Sequence, residues 1–142
     1  MSKMTDLLLR GTEAVKAVQE RELEVSRLSA ALGEPFKVKI RALSIDEFDG
    51  LPKGDEFRVH IVVKAMTEPS MKDEQLRRAY APAGRKNPLL PTELVKTLFL
   101  AGEIANIATE VLTLSGYSDD SVRSISSVDD AVNAAAAEVE KN

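Results

Sequence analysis

Apolar positions recur with a helical period most clearly over residues 91–115. Leu94, Leu98 and Ala101 form one stripe, joined by Val95 and Phe99, and Ile104, Ile107, Ala108 and Val111 form a second, with Leu114 close to it. Pro91 suits a first helical position, Glu93 sits where the helix dipole favours an acid, and Gly116 is a natural stop. Gly102 lies between the stripes and predicts a bend, a break or a tight crossing there. Residues 36–43 alternate by twos instead. Phe36, Val38, Ile40 and Ala42 face one way and Lys37, Lys39 and Arg41 the other, which predicts a half-buried strand that pairs with another from this chain or a second one.

Residues 3–32 read as one long helix. Met4, Leu7, Gly11, Ala14, Val18, Val25, Leu28 and Leu32 fall at alternating spacings of three and four, interrupted at Arg21, and Gly33 ends the segment. The segment suits either a coiled-coil or partner helix, or an amphipathic helix lying on its own domain. Ser44-Ile45-Asp46-Glu47 matches a capping box and predicts a short helix that ends at Gly50-Leu51-Pro52. Residues 55–67 fit both periods; β-branched residues favour strand, but the length without an internal turn decides for helix. A short helix follows at 73–80, then a breaker-rich loop over 81–88. Beyond 117 the pattern is lost.

These elements predict a mainly α protein with a small β element, in the α+β class. It divides into an N-terminal amphipathic helix over 1–33, a compact helical core over 34–117 and a marginally ordered acidic Ala/Ser-rich tail over 118–142.

Composition narrows the chemistry. Apolar residues make up 44% of the 142 residues and charged ones 30%, an ordinary globular balance, while aromatics are only 4% and force an aliphatic core. The chain has no Cys, which removes disulfides and thiolate chemistry, and a single His, His60, with no partner ligand in evidence. No apolar run approaches the roughly 20 residues that span a bilayer. This reading expects a protein of the cytoplasm with no membrane association. The net charge of −4 is uneven: residues 61–100 hold seven basic and four acidic residues, and 101–142 hold two and eight. That asymmetry fits a solvated tail, or a mildly basic face for an acidic partner; no basic stripe points to nucleic acid.

Catalytic constellations are missing from the sequence. There is no glycine-rich phosphate loop and no nucleophile motif, and Asp119-Asp120 and Asp129-Asp130 lack a metal-loop pattern. The reading is of a protein that is not an enzyme and takes no cofactor. Glu103 stands out because it follows Gly102 where the stripes meet. It suits an exposed or backbone-capping position at a break, or a buried partner for Arg77 or Arg78. The double stripe itself is either plain core or a groove for a polypeptide, with Leu94, Leu98, Phe99, Gly102, Glu103, Ile104, Ile107 and Val111 as its candidate residues.

Several runs carry a family likeness. These are Ile40 to Ser44 leading into Glu47-Phe48, Val62 to Pro69, Leu76 and Tyr80, Leu94-Val95-Lys96, Leu98-Phe99, Ala101 to Ile104 and Leu114-Ser115-Gly116. Over 36–117 they resemble the XkdN-like phage tail assembly chaperones. The resemblance implies a non-catalytic morphogenesis factor of a phage or prophage. Such a factor coats the tape measure protein in the host cytoplasm, keeps it soluble, and is missing from the mature virion. A homo-oligomer is compatible with that role. The competing readings are a structural virion part, such as a head–tail connector or tail terminator, and a DNA-binding regulator, which the acidic balance disfavours.

Overall fold

The computed structural model describes residues 2–125. Three short strands, β1 (Glu20–Glu24), β2 (Lys37–Arg41) and β3 (Met66–Glu68), form an antiparallel sheet in the order β1-β2-β3. In β2 the alternation is realised: Val38 and Ile40 are fully buried while Lys37 faces solvent. Its neighbours come from the same chain on both edges.

Residues 3–32 are not one helix. They divide into α1 (Lys3–Arg10), α2 (Thr12–Lys16), β1 and α3 (Ser26–Leu32). The reason lies in the charges. As a helix, Glu20 and Glu24 would stand four apart as like charges, which is repulsive. As a strand, Glu20, Glu22 and Glu24 each stand opposite a cation, Arg41, Lys39 and Lys37 respectively. The intervening Arg21 and Leu23 turn toward the body of the protein. Gly33 does end the segment, as the C-cap of α3 at φ 78°.

The capping box at Ser44 is present in full and opens α4 (Ile45–Asp49). The ambiguous stretch 55–67 is helix over α5 (Phe57–Ala65) and passes directly into β3. The strand-like alternation of Phe57, Val59, Ile61 and Val63 falls within the helix, and the strand begins only after it. Helix α6 (Glu74–Ala79) is capped by Asp73. The stretch 91–115 is broken: α7 (Pro91–Leu98) and α8 (Ala101–Leu112) meet at a bend of 116°. The break falls at Phe99 and Leu100, both extended, and not at Gly102, which lies in the first turn of α8. Phe99 turns into the core there, at 3% exposure. A Cβ added to Gly102 would meet nothing within 4 Å, so no tight crossing exists at that position.

Helix α5 is central, packed against both α7 and α8. Its Ile61 and Val62 join Val38 and Ile40 of the sheet, Leu94 and Val95 of α7, and Ile107 and Val111 of α8 in one aliphatic core. No polar or charged residue is buried among the described residues. After α8 a wide turn, Thr113–Tyr117, brings the Tyr117 ring edge-on to Phe48 at 5.6 Å. By contrast α1 and α2 bury nothing. Of the tail expected over 118–142, residues 119–125 are exposed, and 126–142 lie outside the described residues. Among the described residues no single helix is long and apolar enough to cross a membrane.

Candidate binding groove

Helix α8 runs alongside β1 and the start of α3, and a shallow open groove of about 350 Å³ lies between them. Its apolar lining is Leu23, Val25 and Ile107; Glu24, Ser26, Arg27, Glu103, Asn106 and Glu110 supply the polar lining. Two ion pairs cross it. Arg21 reaches Glu110 at 2.6 Å, and Arg27 holds Glu103 through two hydrogen bonds of 3.0 Å.

Arg27 does more than pair. Its Nη2 also donates to the Leu98 carbonyl at 2.7 Å, one of the last carbonyls of α7. Glu103 in turn accepts from the Leu100 N–H at 2.8 Å, in the manner of half a capping box. One guanidinium therefore grips the C-terminal end of α7 and the N-terminal end of α8, where the helix dipoles favour a cation and an anion respectively. The Arg27 hydrogen bond, and after it the Leu100 N–H, hold the Glu103 carboxyl below its ordinary range against the opposing effect of burial. Glu103 is thus both a cap at a break and the partner of an arginine, but that arginine is Arg27. Arg77 is engaged elsewhere, donating to the Lys72 and Leu89 carbonyls, and Arg78 pairs with Glu74.

The residues singled out in the double stripe separate into two sets. Leu94, Phe99, Ile104, Ile107 and Val111 belong to the core cluster, and of these Ile107 also reaches the groove. Leu98 is half-buried, Gly102 is exposed, and Glu103 stands on the groove rim. Leu23, Val25, Arg21 and Arg27, which complete the groove, were hidden inside the supposed long helix. The signal that finds them is the alternation Glu-Arg-Glu-Leu-Glu at 20–24, complementary to Lys-Val-Lys-Ile-Arg at 37–41. His60 lies part-buried on α5. Among the described residues no group of three or more His, Cys, Asp or Glu could hold a metal ion. The groove offers an aliphatic floor; of its charged residues Arg27, Glu103 and Glu110 are held in ion pairs and Glu24 accepts a hydrogen bond from the Ser29 hydroxyl, an arrangement suited to holding an apolar side chain.

Comparison with solved structures finds a similar fold in the crystal structure of the protein YqbN. The TM-score is 0.53 at 24% identity, over 72% of this chain and 90% of that chain. At that identity the likeness speaks for the fold alone. No match was found among curated proteins. The family model described as phage XkdN-like tail assembly chaperone protein matches residues 53–132, more than half of the chain, from before α5 to beyond α8. That stretch contains the Phe99–Leu100 corner and the α8 wall of the groove, and on this match the chain belongs to the XkdN-like phage tail assembly chaperone family.

Proposed function

We propose that the protein binds the tape measure protein of its phage and keeps it soluble while the tail is assembled, without catalysis. It acts in the cytoplasm of the bacterial host and leaves before the particle is complete. Family membership is the observation that carries this reading.

The groove between β1–α3 and α8 is the proposed contact. An apolar client residue entering it meets Leu23, Val25 and Ile107. The ionic rim stays compensated, because Arg27–Glu103 and Arg21–Glu110 are already closed. Leu98, Gly102 and Glu103 border the client; Leu94, Phe99, Ile104 and Val111 act through packing, in the core cluster that also holds Ile107. A single shallow groove binds weakly. A long client with repeated apolar helical turns engages many copies, and the summed effect is strong.

Co-expression tests the reading. The wild-type chain is expected to raise the soluble yield of tape measure fragments several-fold. Asn106 is exposed and lines the groove, so Asn106→Trp fills it without touching the core. This variant should melt like the wild type yet lose the rescue. Unchanged rescue by Asn106→Trp would remove the groove from the account, and no rescue by the wild type would remove the client.

A further inference from the structure

The sheet ends in two unlike edges. Strand β3 is three residues long and runs into Pro69, which has no N–H to offer. On the β1 side the main chain stands open. The Val25 N–H donates to the Phe36 carbonyl and the Ala42 N–H to that of Gln19. Both bonds lie on the β1–β2 register, so the odd positions of β1 bond to β2 and the even ones point away from it. The N–H and C=O groups of Glu20, Glu22 and Glu24 therefore face outward along the edge, and all three residues are exposed. Two hollows flank this stretch. The groove beside α8 touches Leu23, Glu24 and Val25. A second hollow of about 270 Å³ is lined by Glu22, Leu23, Glu24 and Lys37.

We propose that the β1 edge accepts a fourth strand: an extended segment of another protein with a cation at every second position and an apolar residue between two of them. Main-chain bonding supplies the hold, and the two hollows receive alternate side chains. In an antiparallel pairing the cations stand opposite Glu20, Glu22 and Glu24, as Arg41, Lys39 and Lys37 already do from β2. The residue opposite Leu23 turns inward and enters the groove beside Val25 and Ile107. Charge sets aside the occupants this chain could itself supply. The open positions are the even ones on every copy, so two β1 edges meeting antiparallel set glutamate against glutamate. Residues 126–142 hold one lysine against four acids. The proposal rests on the groove as a side-chain pocket, as above, but not on the identity of the client.

The probe is a labelled heptapeptide, Thr-Lys-Val-Lys-Thr-Lys-Thr, titrated against the full chain at low salt and followed by fluorescence anisotropy. Binding is expected, and it should weaken about ten-fold in the variant Glu22→Gln with Glu24→Gln and in high salt. Two methylated peptides separate strand pairing from charge alone. Methyl groups on the three lysine amides, which face β1, should abolish binding; methyl groups on the valine and central threonine amides, which face away, should leave it intact. Bound peptide should also slow amide hydrogen exchange at Glu20, Glu22 and Glu24. Absence of binding by the parent peptide would overturn the proposal. So would equal binding by the two methylated peptides, or exchange at those three amides that the peptide does not change. No tape measure fragment enters this titration, so its failure leaves the co-expression result standing, and failure of the rescue leaves the titration standing.

Discussion

One device recurs at three helix starts. Glu47, Glu93 and Glu103 each occupy the third position of a helix and accept the N–H of the residue before it, Ser44, Leu90 and Leu100. Each is also gripped by an arginine fork from outside the helix: Arg41, Arg85 and Arg27. The arginine hydrogen bonds, followed by the backbone N–H, lower the Glu47 and Glu93 carboxyls from 4.5 to about 2. A carboxyl whose folded value lies below its unfolded one stabilises the fold fully above the unfolded value, and that contribution fades as pH falls toward the folded one. The urea midpoint should therefore hold steady at neutral pH and decline between about pH 4.5 and 2. Arg41→Met combined with Arg85→Met should flatten that decline. Gly102 makes the opposite kind of prediction. It sits in a helical turn with open space where a Cβ would go, so Gly102→Ala should raise stability by about 0.5–1 kcal/mol, read from the same urea curves.

Between elements, the clearest relation is the charge ladder of β1 and β2. Glu22 stands opposite Lys39. Glu22→Lys should cost about 0.5–1 kcal/mol, Lys39→Glu should recover part of it in the double variant, and added salt should shrink both effects. A double-mutant cycle in low and high salt checks this. The same ladder marks the limit of what was legible beforehand. Strand β2 could be read alone, because Phe36 to Ala42 alternates with apolar residues on one side. Strand β1 could not, because its alternation is mostly acid against a single leucine, and only the partner's lysines give it meaning. Residues 57–65 and 66–68 blurred for a related reason: a largely buried helix rich in β-branched residues passes into a short strand without a turn residue between them. The break at Phe99–Leu100 carries no glycine or proline. It is held by Phe99 entering the core and by Arg27, a residue 72 positions before it. Half of the groove was visible as the α8 stripe; the other half depended on knowing that 20–27 lies beside it.

For the molecule as a whole, stability rests on the aliphatic core and hardly at all on α1 and α2. Ile61, 1% exposed at the centre of α5, should cost about 2–5 kcal/mol when changed to alanine. Removing residues 1–18 should leave the melting temperature of the remainder nearly unchanged, since no residue of α1 or α2 is buried. Both are read by thermal unfolding. The sheet has a wider implication. Two of its three strands, β1 and β2, lie before residue 53, where the family match begins. A fragment cut at that point would keep the inherited signature yet lose the partners of β3, the seat of Val38 and Ile40, and the arginine that fixes the corner. The stretch that carries the family match is therefore expected to be shorter than the unit that folds, and excised as such a segment the protein should be insoluble for a reason unrelated to its working surface.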